Sequence, residues 1–148
     1  MSGVPILPPL VALVLFAVWA MVLVLAIGAW RVGQTIGGGK KAGDFPAGVP
    51  HGSDTYWRLN RAHLNTLENL PVFGTLILTG TMMQLQDTAF QLLPTLVLYA
   101  RLTQSVIHIA SGSVMAVTLR FLAYAVQVGS MLVIASVVLK AAGLPLPW

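Results

Sequence analysis

The chain has 148 residues, of which 57% are hydrophobic and 8% are charged, and it carries a formal net charge of +4. A chain of this composition has too little polar surface to cover a water-facing core, which excludes an ordinary soluble domain. The absence of cysteine excludes a thiol nucleophile of the chain's own, and the few basic residues form no basic helix that would indicate nucleic-acid binding.

Four apolar segments predict an all-α integral membrane protein, a single four-helix transmembrane bundle over residues 1–148. The first segment is an unbroken apolar run of about the 20 residues needed to cross the hydrocarbon core. A loop rich in glycine and proline follows over residues 32–54, and Ser53 or Asp54 can cap the next helix. The spans are predicted at residues 9–31, 55–84, 91–112 and 114–141.

A polar stripe opens the second span. Arg58, Arg61, Asn65 and Glu68 are separated by steps of three, four and three residues, which places them on one face of a helix. The stripe therefore runs from the helix entrance towards lipid depth. Ionisable groups there are costly unless they pair or line a wet cavity, so we expect a functional site. The alternative is a juxtamembrane helix whose charges face water.

Polar residues also recur at helical spacing on the third and fourth spans. They are Arg101, Gln104 and His108 on the third, and Arg120, Tyr124 and Gln127 on the fourth. Each set falls on one helix face. Because Gln127 lies farthest along the fourth span, we expect it to form an interhelical hydrogen bond rather than to take part in chemistry.

The basic residues predict the orientation in the membrane. Most of them flank the first loop or follow the third span: Arg31, Lys40, Lys41, Arg58, Arg61 and Arg120. The opposite side offers Lys140. By the positive-inside rule, both of those loops lie in the cytoplasm and both termini lie outside. The polar stripes then converge on the cytoplasmic side.

This convergence predicts one ion pair and one ligand site. Glu68 lies roughly 18 Å into its helix at about 1.5 Å per residue, and Arg101 lies near the middle of the third span, so we expect them to form a buried ion pair. The other polar residues would line a cup: Arg31, Arg61, Asn65, Gln104, His108, Arg120 and Tyr124. Its arginines favour an anionic ligand that bears carboxylates. The histidines lack metal-ligand spacing, so no metal site is expected.

The second-span motif Arg58-x-x-Arg61-Ala62-His63-x-Asn65-x-x-Glu68 resembles the signature of the membrane-associated proteins in eicosanoid and glutathione metabolism, the MAPEG family. The similarity extends to the four spans and to an arginine in the third. It implies a homotrimer in a bacterial inner membrane, in contact with lipid, with glutathione bound as co-substrate between adjacent subunits near the cytoplasmic face.

The resemblance also implies roles for single residues. The glutathione-contacting positions of the family are matched by Arg31, Arg61, Asn65 and Glu68. Arg120 and Tyr124 match the catalytic arginine and tyrosine near the glutathione sulfur. Gln104 and His108 stand where family members often carry tyrosines, and both would lie in the glutathione site.

Three classes of function follow. The first is a glutathione-dependent transferase or peroxidase that acts on a lipophilic small molecule from the bilayer, and we favour it. The second is a non-catalytic member that binds lipid or another ligand. That branch is expected to lose polar glutathione contacts, which this chain keeps. The third is a small transporter, for which Glu68 is the candidate embedded carboxylate.

Overall fold

The computed structural model describes residues 6–41, 43–46 and 48–144, and the regular structure in those ranges is entirely α-helical. Four helices follow one another along the chain: α1 (Pro9–Ile36), α2 (Asp54–Met82), α3 (Thr88–Ala110) and α4 (Val114–Ala141). The predicted all-α class with four helices is confirmed.

Side-chain caps begin three of the helices. Ser53 caps α2, Asp87 caps α3 and Ser113 caps α4, each with an oxygen that accepts a hydrogen bond from a backbone N–H of the first turn. α1 begins instead at Pro9. Proline has no backbone N–H, and a residue at the start of a helix has no acceptor within the helix for that group, so no hydrogen bond is lost there. The short polar connections of the sequence therefore act as helix starts as well as linkers.

Several helix boundaries differ from the predicted spans. α1 continues to Ile36, past the predicted end at residue 31, because hydropathy marks the end of the apolar run and not the end of the helix. α2 stops at Met82, just before Gln84, which adopts a positive φ of 55°. α3 begins three residues early, immediately after its cap, and ends at Ala110 because Ser111 is extended.

Three of the four helices could cross a membrane. α1, α3 and α4 are long and apolar enough by length and composition, in the part of the chain that the structure describes. α2 has 29 residues but does not pass the same test. The charges of its first half, Arg58 and Arg61 among them, lower its hydropathy. The chain is therefore an integral membrane protein with one helix that is distinctly more polar than the others.

α2 and α3 each pack against all three of the other helices, and the interface between α3 and α4 is the most extensive of the bundle. α1 and α4 share no interface in the described part of the chain, and α2 and α4 share the smallest one. A hydrophobic core holds the four together: Phe16, Phe73, Ile77, Phe90, Val97, Leu98, Met131, Ile134 and Val138. The weak α2–α4 contact leaves a cleft between those helices.

Gly80 is required where α2 meets α3. Phe90, on the first turn of α3, is buried against it, and a Cβ at position 80 would collide with the Phe90 ring. This close approach closes the core at the end of the bundle opposite the start of α2. α2 also runs through Pro71 without a break in its helical structure.

Candidate active site in the α2–α4 cleft

A cavity of about 470 Å³ lies between α2 and α4, and α3 forms its floor. Its volume falls within the range of about 300–1,000 Å³ that is usual for small-molecule sites. Ten residues line it: Asn65, Glu68, Asn69, Arg101, Gln104, His108, Val117, Arg120, Phe121 and Tyr124. Seven of the ten belong to the polar stripes that helical spacing predicted, so stripes from three helices meet in one place.

α2 supplies one wall through Asn65, Glu68 and Asn69, which lie three and four residues apart. The two asparagines are half-buried, whereas Glu68 is exposed. Another face of the same helix turns into the protein. There Thr66 is fully buried and donates a hydrogen bond to the backbone carbonyl of Ala62 at 2.8 Å. α2 therefore presents two amides and a carboxylate to the cavity.

Arg101 forms part of the floor and is almost completely buried, with 1% of its surface exposed. Its guanidinium carbon lies 5.8 Å from the centre of the Phe16 ring on α1. Within the described residues, its Nε and Nη2 atoms are buried without a hydrogen-bond partner. A buried guanidinium in this state carries a large desolvation cost, which an anion in the cavity would offset.

The predicted ion pair between Glu68 and Arg101 is not formed within the described chain. Both residues line the cavity, but no nitrogen of Arg101 lies within 4.0 Å of a Glu68 oxygen. Residue counting placed them at similar depth, but depth does not fix the direction in which a side chain points. Arg101 turns towards Phe16, and Glu68 lies on an exposed face of α2. The two charges are therefore not joined by direct contact within the described chain.

A ladder of polar contacts joins α3 to α4. Nη1 of Arg120 lies 2.6 Å from Nδ1 of His108, and Nε2 of Gln104 donates to the backbone carbonyl of Arg120 at 3.4 Å. Gln127 is fully buried and donates from Nε2 to Oε1 of Gln104 at 3.0 Å. The prediction that Gln127 forms an interhelical hydrogen bond is confirmed. These hydrogen bonds hold α4, which forms one wall of the cavity, against α3, which forms its floor.

α4 supplies the other wall through Val117, Arg120, Phe121 and Tyr124. Val117 is 47% exposed and Phe121 is 66% exposed, so the cavity has an apolar edge on the outer surface of the bundle. These two residues are not among the predicted site residues. The spacing that selected Arg120 and Tyr124 would have found them, because positions 117, 120, 121 and 124 form one helical stripe.

Arg31 lies at a different place, beside the loop that follows α1. Its Nε donates to the hydroxyl of Tyr56 at 2.7 Å, and its guanidinium carbon lies 5.5 Å from the centre of the Phe45 ring. Trp30 stacks on Tyr56 with ring centres 3.9 Å apart. Gly52 has a φ of 77°, and a side chain there would crowd both of those rings. These contacts hold the loop against the adjoining ends of α1 and α2.

Arg61 is exposed and does not line the cavity either. It precedes Asn65 by one helical turn on the same face of α2, on the side of the helix start. One turn earlier, Nε of Arg58 donates to the carbonyl of Ile109 at 3.2 Å and ties α2 to the end of α3. The predicted seven-residue cup is therefore not assembled within one chain. Five of its members line the cavity, and Arg31 and Arg61 do not.

The lining residues carry more positive than negative charge. The guanidinium groups of Arg101 and Arg120 share the cavity with one carboxylate, that of Glu68. Around them lie the neutral polar side chains of Asn65, Asn69, Gln104, His108 and Tyr124. Such a set can hold an anionic molecule through the guanidinium groups and can bind its amide or amino groups through the others.

Comparison with known families identifies the chain. The model of the MAPEG family matches residues 9–140, a range that contains every residue lining the cavity. The chain belongs to the MAPEG family. A comparison with curated proteins found none that matches. The family includes glutathione transferases and related enzymes, which commonly use glutathione, together with some members that are not enzymes. A MAPEG chain with a cavity lined by polar residues is consistent with either kind.

Proposed function

We propose that this MAPEG protein is a glutathione-dependent transferase or peroxidase that acts on lipophilic electrophiles. The observation that carries the proposal is the convergence of Arg101, Arg120, Asn65 and Glu68 on one cavity of about 470 Å³. A cavity with more arginines than carboxylates suits a small peptide that bears carboxylates. The chain has no cysteine, so the nucleophilic sulfur has to arrive with the ligand.

The donor set fits glutathione group by group. Guanidinium groups bind carboxylates, and Nε and Nη2 of Arg101 lack a partner within the described chain. The carboxylate of Glu68 suits the peptide's ammonium group, and the amides of Asn65 and Asn69 suit its peptide bonds. The apolar edge at Val117 and Phe121 offers a lipophilic second substrate a place beside the peptide.

The cavity residues would act on the thiol by electrostatics. A free thiol has a pKa of about 8.5 and reacts as its thiolate. The Arg120 cation, in a site partly shielded from water, favours that thiolate, and the Tyr124 hydroxyl can donate a hydrogen bond to the same sulfur. In a transfer reaction the sulfur forms a bond to an electrophilic carbon. The leaving group departs with its electron pair, and the thiol proton passes to solvent.

The proposal includes a homotrimer in the bacterial inner membrane, with the site facing the cytoplasm and both termini outside. Arg61 and Glu68 are exposed on α2, a face that is unfavourable against lipid and suits contact with another subunit. Arg31 does not line the cavity of its own chain, so it would contribute to glutathione binding from an adjacent subunit. Arg61 would bind at the rim.

The test is glutathione binding by calorimetry on the detergent-purified protein, followed by conjugation of an aryl halide and by thiolate absorbance in the ultraviolet. Arg120→Ala should lower turnover by about 10²–10³-fold and raise the pKa of the bound thiol, while glutathione affinity changes little. Lys140→Ala removes a cation from the far end of α4 and is the matched control.

Three results separate the alternatives. Absence of glutathione binding would refute the proposal. Binding without conjugation or peroxide reduction would indicate a non-catalytic member. Binding and turnover with an unchanged thiolate in Arg120→Ala would transfer the thiol-stabilising role to Tyr124 or to an arginine of an adjacent subunit.

A further inference from the structure

The contact between His108 and Arg120 defines the protonation state of the histidine. A guanidinium group has donors and no acceptor, so Nδ1 of His108, 2.6 Å from Nη1 of Arg120, has to be the acceptor. His108 is therefore neutral in this arrangement and carries its proton on Nε2. The imidazole and the guanidinium lie on different helices, and both line the cavity.

α3 holds Arg120 at two separate points. One is the guanidinium, through His108. The other is the backbone carbonyl, which accepts a hydrogen bond from Gln104, and Gln104 is itself held by the buried Gln127. Gln104 and His108 are one helical turn apart on α3, so both contacts come from the same face. A long and flexible arginine side chain is thereby anchored at both ends.

We propose that His108 is a positioning residue for Arg120, holding its guanidinium in the place where it stabilises the glutathione thiolate. The inference rests on the proposed function and adds a residue to its mechanism. An arginine side chain loses considerable rotamer entropy when it is held in one conformation. A donor already fixed in place loses none of that entropy when charge develops on the sulfur. His108 therefore acts through Arg120 and need not touch the sulfur.

The arrangement also makes the position of Arg120 dependent on pH. A proton on Nδ1 turns the acceptor into a donor and removes the hydrogen bond to Nη1. The imidazolium would then face Arg120 from α4, Arg58 and Arg61 from α2, and Arg101 from its own helix. Against these cations, the described lining of the cavity offers one carboxylate, that of Glu68. Arg120 is therefore released only when His108 takes up a proton, which these cations oppose.

The test compares two substitutions at position 108 with one control. His108→Leu removes the acceptor, whereas His108→Asn keeps an oxygen close to the position of Nδ1 and cannot be protonated. His63→Leu, on α2 and outside the cavity, is the control for loss of a histidine. His108→Leu should lower kcat by about 10–100-fold, as loss of a group that orients another typically does. His108→Asn should recover most of that loss.

The readouts distinguish positioning from binding. If His108 positions Arg120, His108→Leu lowers thiolate absorbance and kcat and leaves glutathione affinity within a few-fold of the wild type. The fall in turnover at low pH should also be shallower in His108→Asn than in the wild type. If glutathione affinity falls in parallel with kcat in both variants, or if His108→Asn is as inactive as His108→Leu, the inference is wrong.

A second measurement does not depend on glutathione. In protein labelled with ¹⁵N-histidine, the His108 ring should show the Nε2–H tautomer, and Arg120→Leu should shift its Nδ1 signal while the signals of His51 and His63 stay in place. A protonated ring, an Nδ1–H tautomer or an unmoved signal would refute the positioning role even if glutathione binds. The expected tautomer in a protein that does not bind glutathione would confirm the contact and refute only the proposed function.

Discussion

Nε2 of Gln127 donates a hydrogen bond to Oε1 of Gln104 at 3.0 Å inside the α3–α4 interface, where the two side chains are 0% and 8% exposed. Interhelical hydrogen bonds of this kind contribute about 0.6 kcal/mol on average in a membrane protein and about 1.7 kcal/mol at most. We expect that coupling in a double-mutant cycle of Gln104→Leu and Gln127→Leu, measured by unfolding in detergent. Val126→Ala, on the exposed side of α4, is the control. Additive effects would show that the bond contributes nothing in solution.

Gly80→Ala should destabilise the protein, because the new methyl group would overlap the Phe90 ring. Overpacking of this kind typically costs about 1–3 kcal/mol. Gly129→Ala is the matched control: it lies within α4 with no atom within 4 Å of the added Cβ, and helix propensity predicts a gain of up to about 1 kcal/mol there. Thermal unfolding of both variants checks the prediction. Equal melting temperatures would contradict the close packing of α2 on α3.

Arg101→Met should raise the stability of the ligand-free protein and weaken its binding of glutathione. The substitution removes a buried guanidinium whose Nε and Nη2 lack partners, and it keeps an apolar chain of similar length beside Phe16. Replacement of a buried ion pair by apolar groups often stabilises a protein by about 1–4 kcal/mol, and removal of an unpaired buried charge acts in the same direction. Melting temperature without ligand and calorimetric affinity are the two measurements. A lower melting temperature would mean that Arg101 is already paired, for example across a subunit interface.

Mixing two inactive variants tests whether Arg31 acts in the cavity of another subunit. Arg31→Ala and Arg120→Ala should each have low turnover when expressed alone. If each site takes Arg31 from one subunit and Arg120 from the next, co-expression at equal levels should restore roughly a quarter of the sites. Turnover per trimer is the readout, and Lys41→Ala mixed with Arg120→Ala is the control. No recovery in the mixture would refute the contribution of Arg31 to the cavity of an adjacent subunit.

Much of the cavity could be predicted from helical spacing. Asn65 and Glu68 on α2, and Arg120 and Tyr124 on α4, were selected because steps of three and four residues put each pair on one helix face. The structure brings these faces together at the cleft. Residue spacing predicts these faces because the helices are long and three of the four are apolar. A row of polar residues is then easy to recognise among the apolar residues of its helix.

What could not be predicted depends on contacts between distant parts of the chain. The position of Arg31 follows from its hydrogen bond to Tyr56, which the path of the intervening loop decides. The direction of Arg101 follows from its packing over Phe16, on a helix 85 residues earlier. The depth of a residue along a helix can be read from residue counts. The conformation of its side chain depends on the residues that pack around it. That difference explains why the expected Glu68–Arg101 contact is missing.

The apolar edge of the cleft, at Val117 and Phe121, has a consequence for kinetics. A hydrophobic substrate partitions from water into the membrane or micelle, so its binding at this edge depends on its mole fraction in that phase. Additional empty micelles would lower the mole fraction of the substrate in the micelles without changing its molar concentration in the sample. The apparent KM for the lipophilic substrate, in molar units, should therefore rise with detergent concentration, while the KM for glutathione, which comes from water, should stay constant.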